Sequence, residues 1–237
     1  MPVPPSVLKT IHAIRKIIAS GGVATTNNLE LYLLIDKLFN NAAGIACDVE
    51  SLDAVLALAP EIETYRGKGS QSATREFHQR LTGLIFRAKM GLPAPEKPDG
   101  AAIHLFDKLG AHFFQRVQGP PARSRHVGRL RAMAWFALGE LAELRRQPEH
   151  LAHALKVAAN PRGAEEEREA AIQFLATYWR ESDPDDATIA LLEDLEKDPA
   201  NRDMLVTILQ TQIDLGLKDE FDALFEVDDW DDANEEE

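Results

Sequence analysis

The chain has 237 residues, of which 45% are hydrophobic and 27% charged, and its 26 Lys+Arg against 39 Asp+Glu give a formal net charge of −13. That length allows one or two domains with a sizeable core. A single cysteine, Cys47, excludes an intrachain disulfide framework and fits a reducing, cytoplasmic setting. No apolar run approaches the roughly 18 residues that cross a bilayer, and the acidity weighs against a general polyanion binder.

In chain order, the first 20 residues predict an amphipathic helix over about 6–19, with Val7, Ile11, Ile14 and Ile18 on one side. Lys9, His12, Arg15 and Lys16 interrupt any signal-peptide core. The first acid is Glu30, so an organellar presequence and a membrane-surface helix stand as alternatives to packing on the next helix. Gly21-Gly22 ends this helix. A second, about 27–41, carries Leu29, Leu33, Leu34, Leu38 and Phe39, with Asn27 or Asn28 as its cap. A short third helix over about 50–59 is expected to stop at Pro60.

The loop from Tyr65 to Ser72 contains Arg66-Gly67-Lys68-Gly69-Ser70, which has the look of a phosphate loop. A P-loop needs glycine five residues before its Gly-Lys and Ser or Thr after the lysine, and those places hold Ile62 and Gly69. A plain exposed loop is the better account. A helix over 73–90 follows, with Phe77, Leu81, Leu84 and Ile85. Residues 91–98, Gly-Leu-Pro-Ala-Pro-Glu-Lys-Pro, are the strongest breaker and mark the expected boundary between an N-terminal helical cluster, 1–92, and a second region, 99–227.

Helix 101–117 has Phe106, Leu109, Phe113 and Val117 as its stripe, and Gly119-Pro120-Pro121 breaks it from a long helix over 124–146. Charge is uneven: residues 1–150 hold 19 Lys+Arg against 14 Asp+Glu, residues 151–237 only 7 against 25. Between Asp107 and Glu140 there is no acid, while Lys108, Arg116, Arg123, Arg125, Arg129 and Arg131 are cationic. Arginine forks suit phosphate and carboxylate alike. Arg123, Arg125, Arg129 and Arg131 are therefore the expected partner-binding residues, for an acidic protein or, as the alternative, a nucleic acid. Pairing with the acid-rich helices that follow is the competing account.

Metal and nucleophile candidates fare poorly. His104 and His112 are eight residues apart on one helix, about 12 Å of rise, too far to share an ion. Glu149, His150 and His153 have usable spacing but no HExxH pattern, and Leu151, Ala154 and Leu155 explain their helix without metal. Cys47 beside Asp48 lacks anything to lower its pKa. No metal, cofactor or catalytic residue is assigned from the sequence.

Paired helices fill residues 148–227. From Arg202, Leu205, Ile208, Leu209, Gln212 and Ile213 form one stripe, Asp198-Pro199 closes the preceding helix, and Gly216 supplies a helix-end turn. A short helix then carries Phe221, Leu224 and Phe225. Arg168–Leu175 lines up with Arg202–Leu209 at an offset of 34. Arg131, Met133, Ala134, Trp135 and Leu138 fall on Arg168, Ala170, Ala171, Ile172 and Leu175 at 37, as do Ala154, Leu155 and Ala158 on Leu191, Leu192 and Leu195.

On these residues, 130–227 resemble a degenerate helical repeat. Residues 185–227 resemble a tetratricopeptide repeat with its preceding helix: Asp198-Pro199 closes one unit, and Asp214-Leu215-Gly216 precedes Asp219-Glu220-Phe221 and Phe225. Phe221 stands where the family has a small alanine and Leu205 where it has an aromatic. Residues 164–179 look as much like a HEAT unit. The resemblance implies an array of antiparallel helical hairpins with a concave peptide-binding face and no catalysis. The expected fold is therefore all-α and solenoid-like, with Leu209 and Phe174 in the core. The expected function is a non-enzymatic adaptor for a protein or peptide partner. The acidic end, 228–237, with Trp230 among its acids, is expected to be disordered and is a second partner-binding candidate.

Overall fold

The computed structural model describes residues 3–21, 29–40, 49–67, 69–91, 100–119 and 125–220. Cys47, Arg123, the breaker at 92–98, the short helix expected around Phe221 and the acidic end with Trp230 lie outside the described residues. Every regular element among those described is helical, with no strand. The all-α expectation holds. None of these helices is long and apolar enough to cross a membrane.

The first helices are α1 (Pro5–Ala19), α2 (Leu29–Asn40), α3 (Val49–Leu56), α4 (Ala59–Thr64), α5 (Ser70–Gly91) and α6 (Gly100–Val117). The chain separates into two compact units, 1–112 and 113–237, the division falling within α6. In the first unit, α1 opens on Pro5, whose missing N–H costs nothing in a first turn. It buries Val7, Ile11, Ile14 and Ile17 and packs on α2 and α4, so its apolar side faces the core of that unit. Ile17, not Ile18, continues the stripe.

Pro60 differs from expectation. α3 ends earlier, at Leu56, and Pro60 sits in the opening turn of α4. Proline breaks a helix interior but suits a first turn, and the sequence does not distinguish the two. Gly69, at φ 77°, turns the chain directly into α5 at Ser70, so that helix starts three residues earlier than its stripe implied. α5 buries Phe77, Leu81, Leu84 and Ile85, and Phe77 meets Phe39 of α2 edge to face at 5.7 Å. His78 is buried too, its Nε2 2.9 Å from Glu63 Oε1, and its ring stacks on His112 at 5.7 Å.

The second unit contains α7 (Arg125–Ala142), α8 (Pro148–Ala158), α9 (Glu165–Trp179) and α10 (Asp186–Lys197), then a 3-10 turn (Pro199–Met204) leading into α11 (Leu205–Asp214). α9 packs on α7 to one side and on α11 to the other; α8 lies against α9, and α10 against α11. At Gly139, an added Cβ would come 3.4 Å from the Thr177 side chain. The core is aromatic at its centre, with Trp135 and Phe174 tilted at 5.2 Å. Burying a large apolar side chain of this kind contributes about 1.5–3 kcal/mol.

Burial fixes the relation among the three helices. Ala134, Ala171 and Ile208 are buried; so are Trp135, Ile172 and Leu209, then Ala137, Phe174 and Thr211, then Leu138, Leu175 and Gln212. Each step is 37 residues. The offset of 34 is therefore corrected. It placed Ile172, fully buried, on Val206, which is 68% exposed. A slip of three residues turns a helix by only about 60° from full register, so apolar-on-apolar matching barely registers it.

Helix ends are satisfied by named groups. Asp185 caps α10 by accepting from Thr188 N at 2.9 Å, and Asp198 accepts from Ala200 N at 3.0 Å. Gly216, at φ 69°, ends α11 as expected, with Leu217 N donating to Gln212 O. Last-turn carbonyls of three helices accept from side chains downstream. His153 Nε2–H donates to Val117 O at 2.8 Å, Arg168 Nε to Ala158 O at 3.1 Å, and Asn201 Nδ2 to Leu195 O at 3.0 Å. Arg168 also reaches Asn201 Oδ1 at 2.7 Å, joining two of these caps.

Candidate functional site

Among the described residues, the cations singled out in the sequence differ in burial and in pairing. Arg131 is buried, and its Nη1 lies 3.1 and 3.2 Å from the two carboxylate oxygens of Glu167. Its place beside Gly119 is tight: a Cβ there would stand 2.4 Å from Arg131 Nη2. Arg131 is thus drawn inward by an acid 36 residues later. Arg125 is exposed on its side chain and pairs with Glu166 at 3.0 Å. Arg129 is exposed, four residues along the same helix. Lys108 belongs to the first unit, paired with Asp53. Pairing with neighbouring acids accounts for Arg125 and Arg131.

His150 and His153 pack against aromatic rings. His150 is buried, its ring 4.4 Å from that of Phe114, and burial pushes its pKa below the ordinary value; Glu149 opposes this and His153 adds to it. His153 stacks on Trp135 at 5.7 Å while holding Val117 O. Among the described residues no group of three His, Cys, Asp or Glu is placed to hold a metal ion.

A different surface emerges from the packing. The core stripes of α7, α9 and α11 leave the positions between them facing outward in the same register: Ala132, Glu169 and Val206; Phe136, Gln173 and Gln210; Glu140, Thr177 and Asp214. Two grooves run between these helices. One, of about 260 Å³, is lined by Ala132, Phe136, Gly139, Glu169, Gln173 and Thr177 among others. The other, of about 580 Å³, is lined by Gln173, Thr177, Arg180, Val206, Gln210 and Asp214 among others, and Phe136 borders it as well. Phe136 is 56% exposed and Val206 68%.

The charged groups of this face are mostly engaged. Glu166 binds Arg125, Arg180 pairs with Glu143, and Asp214 Oδ1 accepts from Gln210 Nε2 at 2.9 Å. Glu169 is the exception. It accepts from Thr207 Oγ1 at 3.4 Å, and among the described residues it pairs with no cation. Burial first, then the charge of Glu165, raises its carboxyl above the ordinary carboxylate range; the Thr207 bond opposes this.

The sequence reading missed Phe136, Glu169 and Val206. Phe136 hides in the apolar run Met133–Leu138, where every side of the helix looks like core. Val206 lies outside the stripe Leu205, Ile208, Leu209, Gln212 and Ile213, but the offset of 34 aligns it with Ile172. Glu169 is one of several acids at the start of α9 and carries no local signal. Compared with protein-family models, curated proteins and solved structures, the chain matches none.

Proposed function

We propose that residues 125–220 form a short helical-repeat array of the tetratricopeptide or HEAT kind, and that it acts as a non-enzymatic adaptor holding a partner protein on the α7–α9–α11 face. Support comes from the side-by-side packing of three helices in a 37-residue register, which buries one stripe and leaves a continuous outer face. The single observation that carries the reading is Phe136, more than half exposed on the wall shared by two grooves. An exposed aromatic at the centre of a grooved surface is the usual anchor of a protein interface. The second reading, nucleic-acid or polyanion binding through 116–131, has less behind it, because Arg125 and Arg131 are already engaged by Glu166 and Glu167.

The test is photo-crosslinking in cell extract from a benzoylphenylalanine placed at Gln173 or Gln210, with Asp194 on α10 as the control position. A band specific to the groove positions, lost on Phe136→Ser, is the expected result. Equal crosslinking from Asp194, or none from the grooves, would remove the adaptor reading.

A further inference from the structure

We infer that the α7–α9 groove takes a basic side chain of the partner, with Glu169 as its counter-ion and Phe136 as its flank, and that the α9–α11 groove takes an apolar side chain of the same extended segment. This rests on the adaptor reading and adds the chemistry of what is bound.

Charge complementarity carries it. Glu169 is a carboxylate in a groove wall, partly out of water, with only a hydroxyl 3.4 Å away and with Glu165 and Glu166 on its own helix repelling it. Two cations at this face are already paired, Arg125 with Glu166 and Arg180 with Glu143, and Arg129 stands exposed on α7. An incoming guanidinium or ammonium would meet an acceptor that, among the described residues, has no counter-charge, and such charge-assisted bonds are stronger than neutral ones. The ring of Phe136 lines the same groove. At about 260 Å³ the groove holds side chains rather than a drug-sized ligand, for which pockets begin at about 300 Å³.

The second groove differs in character. Val206 stands exposed in its lining and, with Ala176 and Phe136, offers an aliphatic side chain its apolar contacts among polar neighbours such as Gln173, Thr207 and Gln210. The two grooves flank α9, and packed helices lie about 8–10 Å apart. At about 3.3 Å per residue, an extended segment crosses that distance in about three residues. The ligand is therefore a lysine or arginine with an apolar residue about three positions away.

The test is an NMR titration of the ¹⁵N-labelled full chain with three octapeptides. One has arginine and leucine three residues apart in a glycine-serine background; the second has glutamate for the arginine; the third has serine for the leucine. The arginine–leucine peptide is expected to shift the amides of Ala132, Glu169 and Val206. Glu169→Gln should weaken its binding about fivefold or more, whereas Glu181→Gln, which removes the same charge outside the grooves, should not. The glutamate peptide should not bind, and the serine peptide should lose the shift at Val206 alone. Equal binding of the glutamate peptide, or no effect of Glu169→Gln, would overturn the basic-ligand inference while leaving an interaction face in place. No shift on this face with any peptide would also overturn it, and the crosslinking result then judges the adaptor reading on its own.

Discussion

Removing Arg131 should damage the second unit far more than removing any exposed arginine. In the Arg131–Glu167 pair the side chains are 10% and 4% exposed, so Arg131→Met leaves a carboxylate buried without its counter-charge. Breaking a buried pair from one side costs about 3–5 kcal/mol. Glu167 lies in the first turn of α9, where the helix dipole favours an anion by about 0.3–1 kcal/mol. That relief is small against the desolvation, so the lower end of the range, about 3 kcal/mol, is the expected loss. With a urea m-value of about 1–3 kcal/mol/M, the midpoint should fall by about 1 M or more. The double variant Arg131→Met with Glu167→Leu removes both charges and should recover most of the loss, because the net worth of a buried pair against apolar replacements is near zero or negative. Urea unfolding followed by far-UV circular dichroism on the four proteins of this cycle gives the coupling directly. A single-variant cost below about 1 kcal/mol, or a double variant equal to the sum of the singles, would show that the pair is not sequestered in solution.

Leu209→Ala should cost about 2–5 kcal/mol from lost burial and cavity, whereas Val206→Ala should stay within about 0.5 kcal/mol; a Val206→Ala cost as large as that of Leu209→Ala would restore the 34-residue register. His150 should make the second unit acid-sensitive. Its pKa is lowered by burial, so below the ordinary 6.5 the unfolded chain takes up a proton that the folded one refuses, and stability falls as pH drops from about 6.5 towards the lowered value. His150→Phe should flatten that limb in unfolding curves at pH 7.5 and 5.5, and an unchanged slope would place the acid sensitivity elsewhere. Glu169 has the opposite sign. Its raised carboxyl favours the fold when protonated, a contribution lost as pH rises, so Glu169→Gln should raise the melting temperature most at neutral pH; a rise that grows towards pH 4 would contradict this. Duplex DNA should not bind at physiological salt; tight binding that falls steeply with salt and vanishes with Arg125→Ala and Arg129→Ala would promote the polyanion reading.

Several features were legible in the sequence because they are local. Helical stripes such as Phe77, Leu81, Leu84 and Ile85 follow from 3.6-residue periodicity, and all four are buried. Gly216 marks the end of α11 because few other residues accept φ 69° there. The core places of Leu209 and Phe174 also follow from the stripe, and both are buried. Tertiary structure decided the rest. Periodicity tells which residues share a side of a helix but not which side meets a neighbour, and in the run Met133–Leu138 every side is apolar. Only packing on α9 sends Trp135 inward and leaves Phe136 in water. Charge carries no address either. Arg125, Arg129 and Arg131 are alike in sequence, yet Arg131 is buried because Glu167, 36 residues on, comes within hydrogen-bond distance when α9 packs against α7. Glu169, a few residues further along that helix, lines a groove and among the described residues pairs with no cation. The chain sets the helices and their stripes by local sterics and spacing; which charges end up paired and which side chains stay exposed is set by contacts between helices distant in sequence, and those form only once the helices pack.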